Sequence, residues 1–216
     1  MKVVVLAATG QIGRTVISEL ISRGHQVTAV ARNPDKLPGS INSVRDDLSS
    51  ADRIAEIIAG TDAVVSAFGP PKDDARYFSD VSYTDQLAEV TGRAIAAVRK
   101  ASAPRLIVAG GCGSLWFSPG VTVLDSGRWP EKLIPIATSH FKTFAALKAS
   151  DINWTYFSPP MRIDPGVRTG KFRLGGDHLL VDEQGRSWAS FEDYAVALVD
   201  ELEQPAHECA RFTVGY

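Results

Sequence analysis

Cysteine and histidine are scarce in this chain of 216 residues, which holds two of the first and four of the second. Cys112 and Cys209 stand far apart, with no C-x-x-C partner for either. That spacing argues against a zinc knuckle and a disulfide framework, and it suits a reducing cytosol. His25, His140, His178 and His207 are scattered without ligand spacing, so no metal site is expected. Neither sign of charge is in large excess, the formal net charge being −2. No basic stripe with interleaved aromatics runs along the chain, and nucleic acid is not an expected partner. No apolar stretch is long enough to span a bilayer, and the opening MKVVVL is too short for a signal-peptide core. A cytoplasmic protein away from membranes is expected. Internal repeats and low-complexity linkers are missing too. The length suits one domain with a real core, so residues 1–216 are expected to fold as a single domain.

What the chain does have is concentrated at its start. Lys2 to Leu6 is a Val-rich apolar run, the pattern of a strand buried on both faces. Small residues follow, Ala7 to Gly10, and then Gln11, Ile12 and Gly13. Apolar residues at Ile12, Val16, Ile17, Leu20 and Ile21 have helical spacing, and Gly24 stops the helix. Gln26 to Ala31 is a second apolar strand. Together these make one βαβ unit of about thirty residues. Unpaired amides at a helix start, with the helix dipole, form an anion site. Gly10 lets the backbone bend and approach a pyrophosphate, and Gly13 lets the helix lie close to the strand. Thr9, Gly10, Gln11, Ile12 and Gly13 are therefore candidate cofactor contacts.

The second strand ends in Ala31, Arg32 and Asn33, without the carboxylate an NAD-specific site uses. A guanidinium can hold a 2′-phosphate bidentately, so NADP(H) is expected in preference to NAD(H), bound through Arg32. Two alternatives stay open. Arg32 stacked on the adenine would suit either cofactor, and Asp35 swung inward would accept from a 2′-OH.

Downstream, strands and helices keep alternating, which predicts an α/β fold with a Rossmann-type doubly wound parallel sheet. Ile41 to Arg45 reads as the third strand. Asp46, Asp47 and Leu48 come next, and this acidic-apolar pair either lines the adenine or caps a loop. A helix runs from Ser50 or Ala51 through Ala59, and Asp62 to Ala67 is the fourth strand. Its carboxyl end, with Phe68 and Gly69, faces the ligand crevice of such a sheet. Pro71 to Ser79 reads as a surface loop, Tyr83 to Ala101 as a long helix and Leu106 to Ala109 as the fifth strand. Gly110 and Gly111 suit close passage of backbone beside a nicotinamide. Ser114 is either near the substrate or a plain loop residue. Cys112 does not form a nucleophile elbow, because Ser114 stands where the second glycine belongs.

Val121 to Pro130 reads as a loop. Glu131 to Ser150 reads as mostly helical but interrupted by Pro135, with the clearest helix from Ala137 or Thr138 and His140 in its first turn. Asn153 to Ser158 is the sixth strand, and Pro159 and Pro160 form a corner that bends the chain over the nicotinamide face. Arg162 to Gly170 reads as a loop, with short strands at Lys171 to Leu174 and around Leu179 to Val181. A last helix opened by Ser190 and a strand from Arg211 to Val214 complete a small substrate-side portion.

From end to end the chain resembles the small atypical short-chain dehydrogenases/reductases of the NADH-flavin reductase, or NAD(P)H-binding oxidoreductase, family. The likeness is carried by AATGQIG at Ala7 to Gly13, ARNPDKL at Ala31 to Leu37 and DAVVSAFG at Asp62 to Gly69. It continues through GGCGSL at Gly110 to Leu115, NWTYFSPP at Asn153 to Pro160 and PGVRTGKFRLG at Pro165 to Gly175. EDYAVALVDELEQP at Glu192 to Pro205 and RFTVGY at Arg211 to Tyr216 close it. The first motif is a variant of G-A-T-G-x-x-G in which Ala7 replaces the leading glycine, a change that fits where that φ is negative. More distantly, the chain is similar to the biliverdin reductase B type of flavin reductase, where a histidine takes the place of His140 beside the substrate.

The resemblance implies a Rossmann fold, a nicotinamide cofactor and a flavin-like substrate. The Tyr-x-x-x-Lys acid of typical short-chain dehydrogenases is missing, since His140 and Phe144 stand in that relation. His140 replaces the acid in principle, as an imidazole titrates near neutrality; its alternative is a structural histidine. The expected activity is hydride transfer to a planar small-molecule acceptor, flavin or quinone-like, with Ser114 orienting it. The missing tyrosine and lysine also fit a non-catalytic NADP(H)-binding redox sensor that regulates a partner. Nothing in the sequence sets an oligomeric state.

Overall fold

Alternating apolar strands and amphipathic helices build one eight-stranded sheet with helices on both faces. The computed structural model describes residues 1–216. Strands β1 (Lys2–Leu6), β2 (Gln26–Ala31), β3 (Asn42–Arg45), β4 (Ala63–Ser66) and β5 (Leu106–Ala109) are joined through helices α1 (Gln11–Ser22), α2 (Ala51–Ile58), α3 (Val81–Thr84) and α4 (Gln86–Ala101). After β5 come the short strands β6 (Trp116–Ser118) and β7 (Val121–Thr122), helix α5 (Ile134–Lys148) and strand β8 (Trp154–Ser158). The chain ends with the short strands β9 (Arg162–Asp164), β10 (Arg173–Gly175) and β11 (Trp188–Ser190), helix α6 (Phe191–Glu203) and strand β12 (Ala210–Gly215).

The sheet order is β10-β12-β8-β5-β4-β1-β2-β3, parallel throughout except for the pair β10–β12. From β1 the chain winds outward to β3, then returns to the other side of β1 to lay down β4 and β5. This reversal opens a crevice at the carboxyl ends of β1 and β4. The fold is Rossmann-like, as the alternation predicts.

Burial on both faces explains the composition of the central strands. Every residue of β4, β5 and β8 is buried. On one face α1 and α6 cover the sheet, with Val16, Ile17 and Leu20 packed among Phe157, Tyr194 and Phe212. The Phe157 ring stacks 4.0 Å from both Tyr194 and Phe212. On the other face α2 and α4 seat Ile54, Ile58, Val90 and Val98 against β1, β4 and β5. Each such side chain contributes roughly 1.5–3 kcal/mol on burial, which fixes the edge where the site forms.

Several local expectations change. Pro135 does not interrupt α5 but lies in its first turn, where its missing amide has no partner to lose. His140 consequently sits in the second turn. The long helix expected from Tyr83 divides at Asp85 into α3 and α4. Within the Pro71 to Ser79 loop, Tyr77 is buried against Leu87 and Ile136, so this loop is anchored rather than wholly superficial. β7, inside the loop expected from Val121, pairs with β6, and β9, inside the loop expected from Arg162, pairs with β11. No strand forms at Leu179 to Val181. Pieces of two or three residues carry too little periodicity to be legible.

Candidate cofactor and acceptor site

At the carboxyl ends of β1, β2 and β4 lies a cavity of about 240 Å³. It brings together Thr9, Gly10, Arg32, Asp47, Leu48, Phe68 and Gly69 from the expected set, joined by Ala7 and Asp46. Helix α1 begins at its rim with no side chain capping its first turn, so the amides of Gln11, Ile12 and Gly13 keep the anion-binding character of an open helix start. Gln11 is exposed, while Ile12 packs against the core beneath. A Cβ on Gly13 would meet the Ala7 carbonyl at 2.9 Å and Ala8 Cα at 3.0 Å. Helix and strand therefore approach as closely as the motif demands.

Ala7 departs from expectation. Its φ is +58°, not negative. The turn requires this, because the Gly10 amide folds back to donate to the Ala7 carbonyl at 3.2 Å. Leu48 shares the left-handed geometry, with φ of +63°. Asp46 Oδ1 accepts from the Leu48 amide at 2.7 Å, and Arg93 Nε donates to the Leu48 carbonyl at 2.7 Å. A side chain in this region costs roughly 1–2 kcal/mol. Both residues line the same cavity, the pattern expected where backbone strain is kept at a functional site.

Arg32 is exposed at the cavity edge, and its guanidinium makes no ion pair. Asp35 is not turned toward a ribose site; it pairs with Arg45 at 3.1 Å. Asp47 takes the loop-capping role considered for it, from a place in the cavity wall. It lines the cavity, and its carboxylate accepts from the Ser49 amide at 3.0 Å. Hydrogen bonds from Ser49 hold its pKa below the ordinary carboxylate value.

The carboxyl ends of β5 and β8 form the second half. A Cβ on Gly110 would come within 2.5 Å of the Tyr156 ring, and one on Gly111 within 2.6 Å of the His140 ring. The two glycines thus make room for two aromatic side chains. The Gly111 amide donates to Tyr156 Oη at 2.9 Å, and Tyr156 Oη lies 3.2 Å from His140 Nδ1. Phe144, one turn beyond His140, packs its ring centroid 4.9 Å from that of Tyr156, and the Arg211 guanidinium stands 4.7 Å from the Phe144 ring. Ser114 Oγ accepts from Arg211 Nη1 at 2.8 Å, and Arg211 also pairs with Asp177 at 2.6 Å. Pro159 and Pro160 directly follow β8, the second of them buried.

Electrostatics alter the reading of His140. Burial, with a smaller contribution from the Lys72 charge, lowers its pKa to about 4. At neutral pH the imidazole is uncharged, so it is not the near-neutral acid the residue type implies. Burial raises the Tyr156 phenol well above its ordinary value. The buried Cys112 thiol is pushed up to about 12, which agrees with its not being a nucleophile.

Sequence reasoning missed Tyr156 and Arg211. The one available signal for Tyr156 was the adjacent Gly110 and Gly111, whose missing side chains leave space for bulky neighbours. Nothing local pointed to Arg211.

Residues 7–205 match the family model described as NAD(P)H-binding. The chain is 35% identical to the protein YwnB of Bacillus subtilis (strain 168), across 99% of this chain and 98% of that one. It is 39% identical, with a TM-score of 0.88, to a solved structure from Bacteroides thetaiotaomicron described as a "putative epimerase", covering 100% of this chain and 96% of that one. A Streptococcus pneumoniae TIGR4 structure described as a "putative NADH-flavin reductase" is 32% identical, with a TM-score of 0.83, and 100% and 99% of the two chains are covered. No helix is long and apolar enough to cross a membrane.

Proposed function

This chain belongs to the NAD(P)H-binding family, and we propose from that premise that it is an NADPH-preferring reductase whose acceptor is planar, a flavin or a quinone-like compound. The observation that carries this reading is the weak acidity of the buried side chains at the acceptor end. His140 is neutral, with its pKa lowered to about 4, and the Tyr156 phenol and Cys112 thiol are both raised. Reduction of a simple carbonyl leaves an alkoxide that needs a proton on the spot. A flavin or quinone spreads the added charge over its own rings, so positioning is enough.

The residues present fit a dinucleotide. The amides from Thr9 to Gly13 would hold the pyrophosphate, Arg32 the 2′-phosphate, and Asp47 and Leu48 the adenine side. Phe68 and Gly69 would flank the ribose, while Gly110, Gly111, Pro159 and Pro160 would frame the nicotinamide. The bound nicotinamide supplies the hydride, and water supplies the proton that completes reduction. His140 would donate a hydrogen bond to the acceptor, and Ser114, held by Arg211, would orient it. The description of the Streptococcus pneumoniae relative supports the flavin class. Two free thiols suit a cytoplasmic setting.

NADPH absorbance followed with FMN, riboflavin and a quinone, then repeated with NADH, tests the reading. Turnover with at least one acceptor, faster with NADPH, is expected. His140→Ala should weaken turnover or acceptor affinity, and no change in either would remove His140 from the reaction. The same weak acidity also favours a second reading, a non-catalytic NADP(H) sensor. Tight binding with no consumption across the panel would select it.

A further inference from the structure

Tyr156 Oη is fully buried and has three polar neighbours: the Gly111 amide at 2.9 Å, His140 Nδ1 at 3.2 Å and the His140 carbonyl at 3.4 Å. An amide can only donate, so the phenol oxygen must accept from Gly111. The phenol has one proton left to place. The His140 carbonyl is the farther acceptor, and it lies inside α5, where the amide four residues on already serves it. Nδ1 is nearer and has no other partner. The O–H therefore points at Nδ1, which must carry a lone pair. In a neutral imidazole the ring proton then sits on Nε2. Nε2 forms no hydrogen bond with the protein and is not sealed from solvent.

The surroundings leave the pair little freedom. Gly110 lacks a Cβ where the Tyr156 ring passes, Gly111 lacks one where the His140 ring passes, and Phe144 packs against the phenol ring. The Lys72 charge opposes a second proton on the imidazole.

We propose that Tyr156 is a positioning residue that fixes His140 in its Nε2–H tautomer, so that His140 presents a neutral hydrogen-bond donor to the acceptor. The consequence for turnover rests on the reductase reading; the tautomer itself does not. A donor of this kind suits an acceptor that offers a ring nitrogen or carbonyl oxygen at its edge and gains electron density there on reduction. The interaction strengthens as charge arrives, without a proton leaving the protein.

The test is a long-range ¹H–¹⁵N spectrum of the imidazoles in uniformly labelled protein near neutral pH. His140 should show a pyrrole-type Nε2 and a pyridine-type Nδ1. In Tyr156→Phe the Nδ1 donor is gone and the signals should move toward a mixture of tautomers. A protonated Nδ1 in the unsubstituted protein, or signals unmoved by Tyr156→Phe, would overturn the proposal. The unsubstituted spectrum needs no variant to fold and no acceptor to be found, so its outcome is separate from that of the turnover assays. In a working reductase, Tyr156→Phe should lower kcat by about tenfold, the worth of one hydrogen bond, with the KM for NADPH unchanged. An unchanged kcat would remove the consequence for turnover.

Discussion

Where β1 and β2 end, the chain leaves a helix start uncapped and a guanidinium without an ion pair, whereas where β5 and β8 end side chains tie one another in place and leave His140 Nε2 and the buried Ser158 hydroxyl without a partner. The nucleotide end has an uncapped helix start, an Arg32 without an ion pair, and two residues, Ala7 and Leu48, in left-handed geometry. At the acceptor end the Gly111 amide, Tyr156 and His140 form one chain of hydrogen bonds, and Arg211 clasps Ser114 and Asp177. The first half is arranged for a ligand to complete, and its strain and open donors are offset when an anion arrives. The second is held together by its own hydrogen bonds before any acceptor comes, with His140 Nε2 and the Ser158 hydroxyl left open, and it acts through shape and fixed dipoles.

The largest effects should come from glycines that break one half at a time. Gly13→Ala places a methyl group against backbone, and Gly111→Ala places one in the His140 ring. Each should lower stability by about 1–3 kcal/mol, the usual range for overpacking, as read by urea midpoints. They should separate by ligand: Gly13→Ala loses NADPH binding, and Gly111→Ala loses turnover with a smaller loss of NADPH binding. Equal loss of NADPH binding in both would merge the two halves.

Acid should single out the acceptor end next. The folded pKa of His140, about 4, lies below the ordinary 6.5. Between those values the unfolded chain binds more protons than the folded one, so stability falls as pH drops through that window. The His140 share at about pH 5 should be about 2 kcal/mol. It should disappear in His140→Gln, measured as the difference in unfolding free energy between neutral and acid buffer. The pH profile of kcat should show no step from this imidazole near 6.5.

The smallest effect tests strain at the nucleotide end. Ala7→Gly restores a residue that takes positive φ without penalty. A gain of about 1 kcal/mol is expected, a rise in Tm of about 2–4 °C for a chain of this size. A fall in Tm would mean that Ala7 is not strained.

The same contrast decides how much was legible in the sequence. The nucleotide end comes from consecutive residues, Ala7 to Gly13, and from the end of the adjoining strand, Arg32. Its motif, spacing and neighbouring strand could therefore be read together. The sign of φ at Ala7 was misjudged, because alanine by itself disfavours a geometry that the Gly10-to-Ala7 hydrogen bond imposes. The acceptor end gathers Gly111, His140, Tyr156 and Arg211 from the segment after β5 and from α5, β8 and β12, and no spacing rule connects them. His140 was reached through resemblance and Ser114 through the glycine-rich loop after β5, each without the partners that hold it. Burial then changed the chemistry of His140, which residue type does not report.

The most direct check on the account is a calorimetric titration of NADPH and NADH into the protein and into Arg32→Ala. Both cofactors should bind, NADPH the tighter, and Arg32→Ala should lose about tenfold or more in affinity for NADPH, as for a charge-assisted contact, while leaving NADH nearly unchanged. Failure of both cofactors to bind the unsubstituted protein, or equal losses for the two in Arg32→Ala, would contradict it.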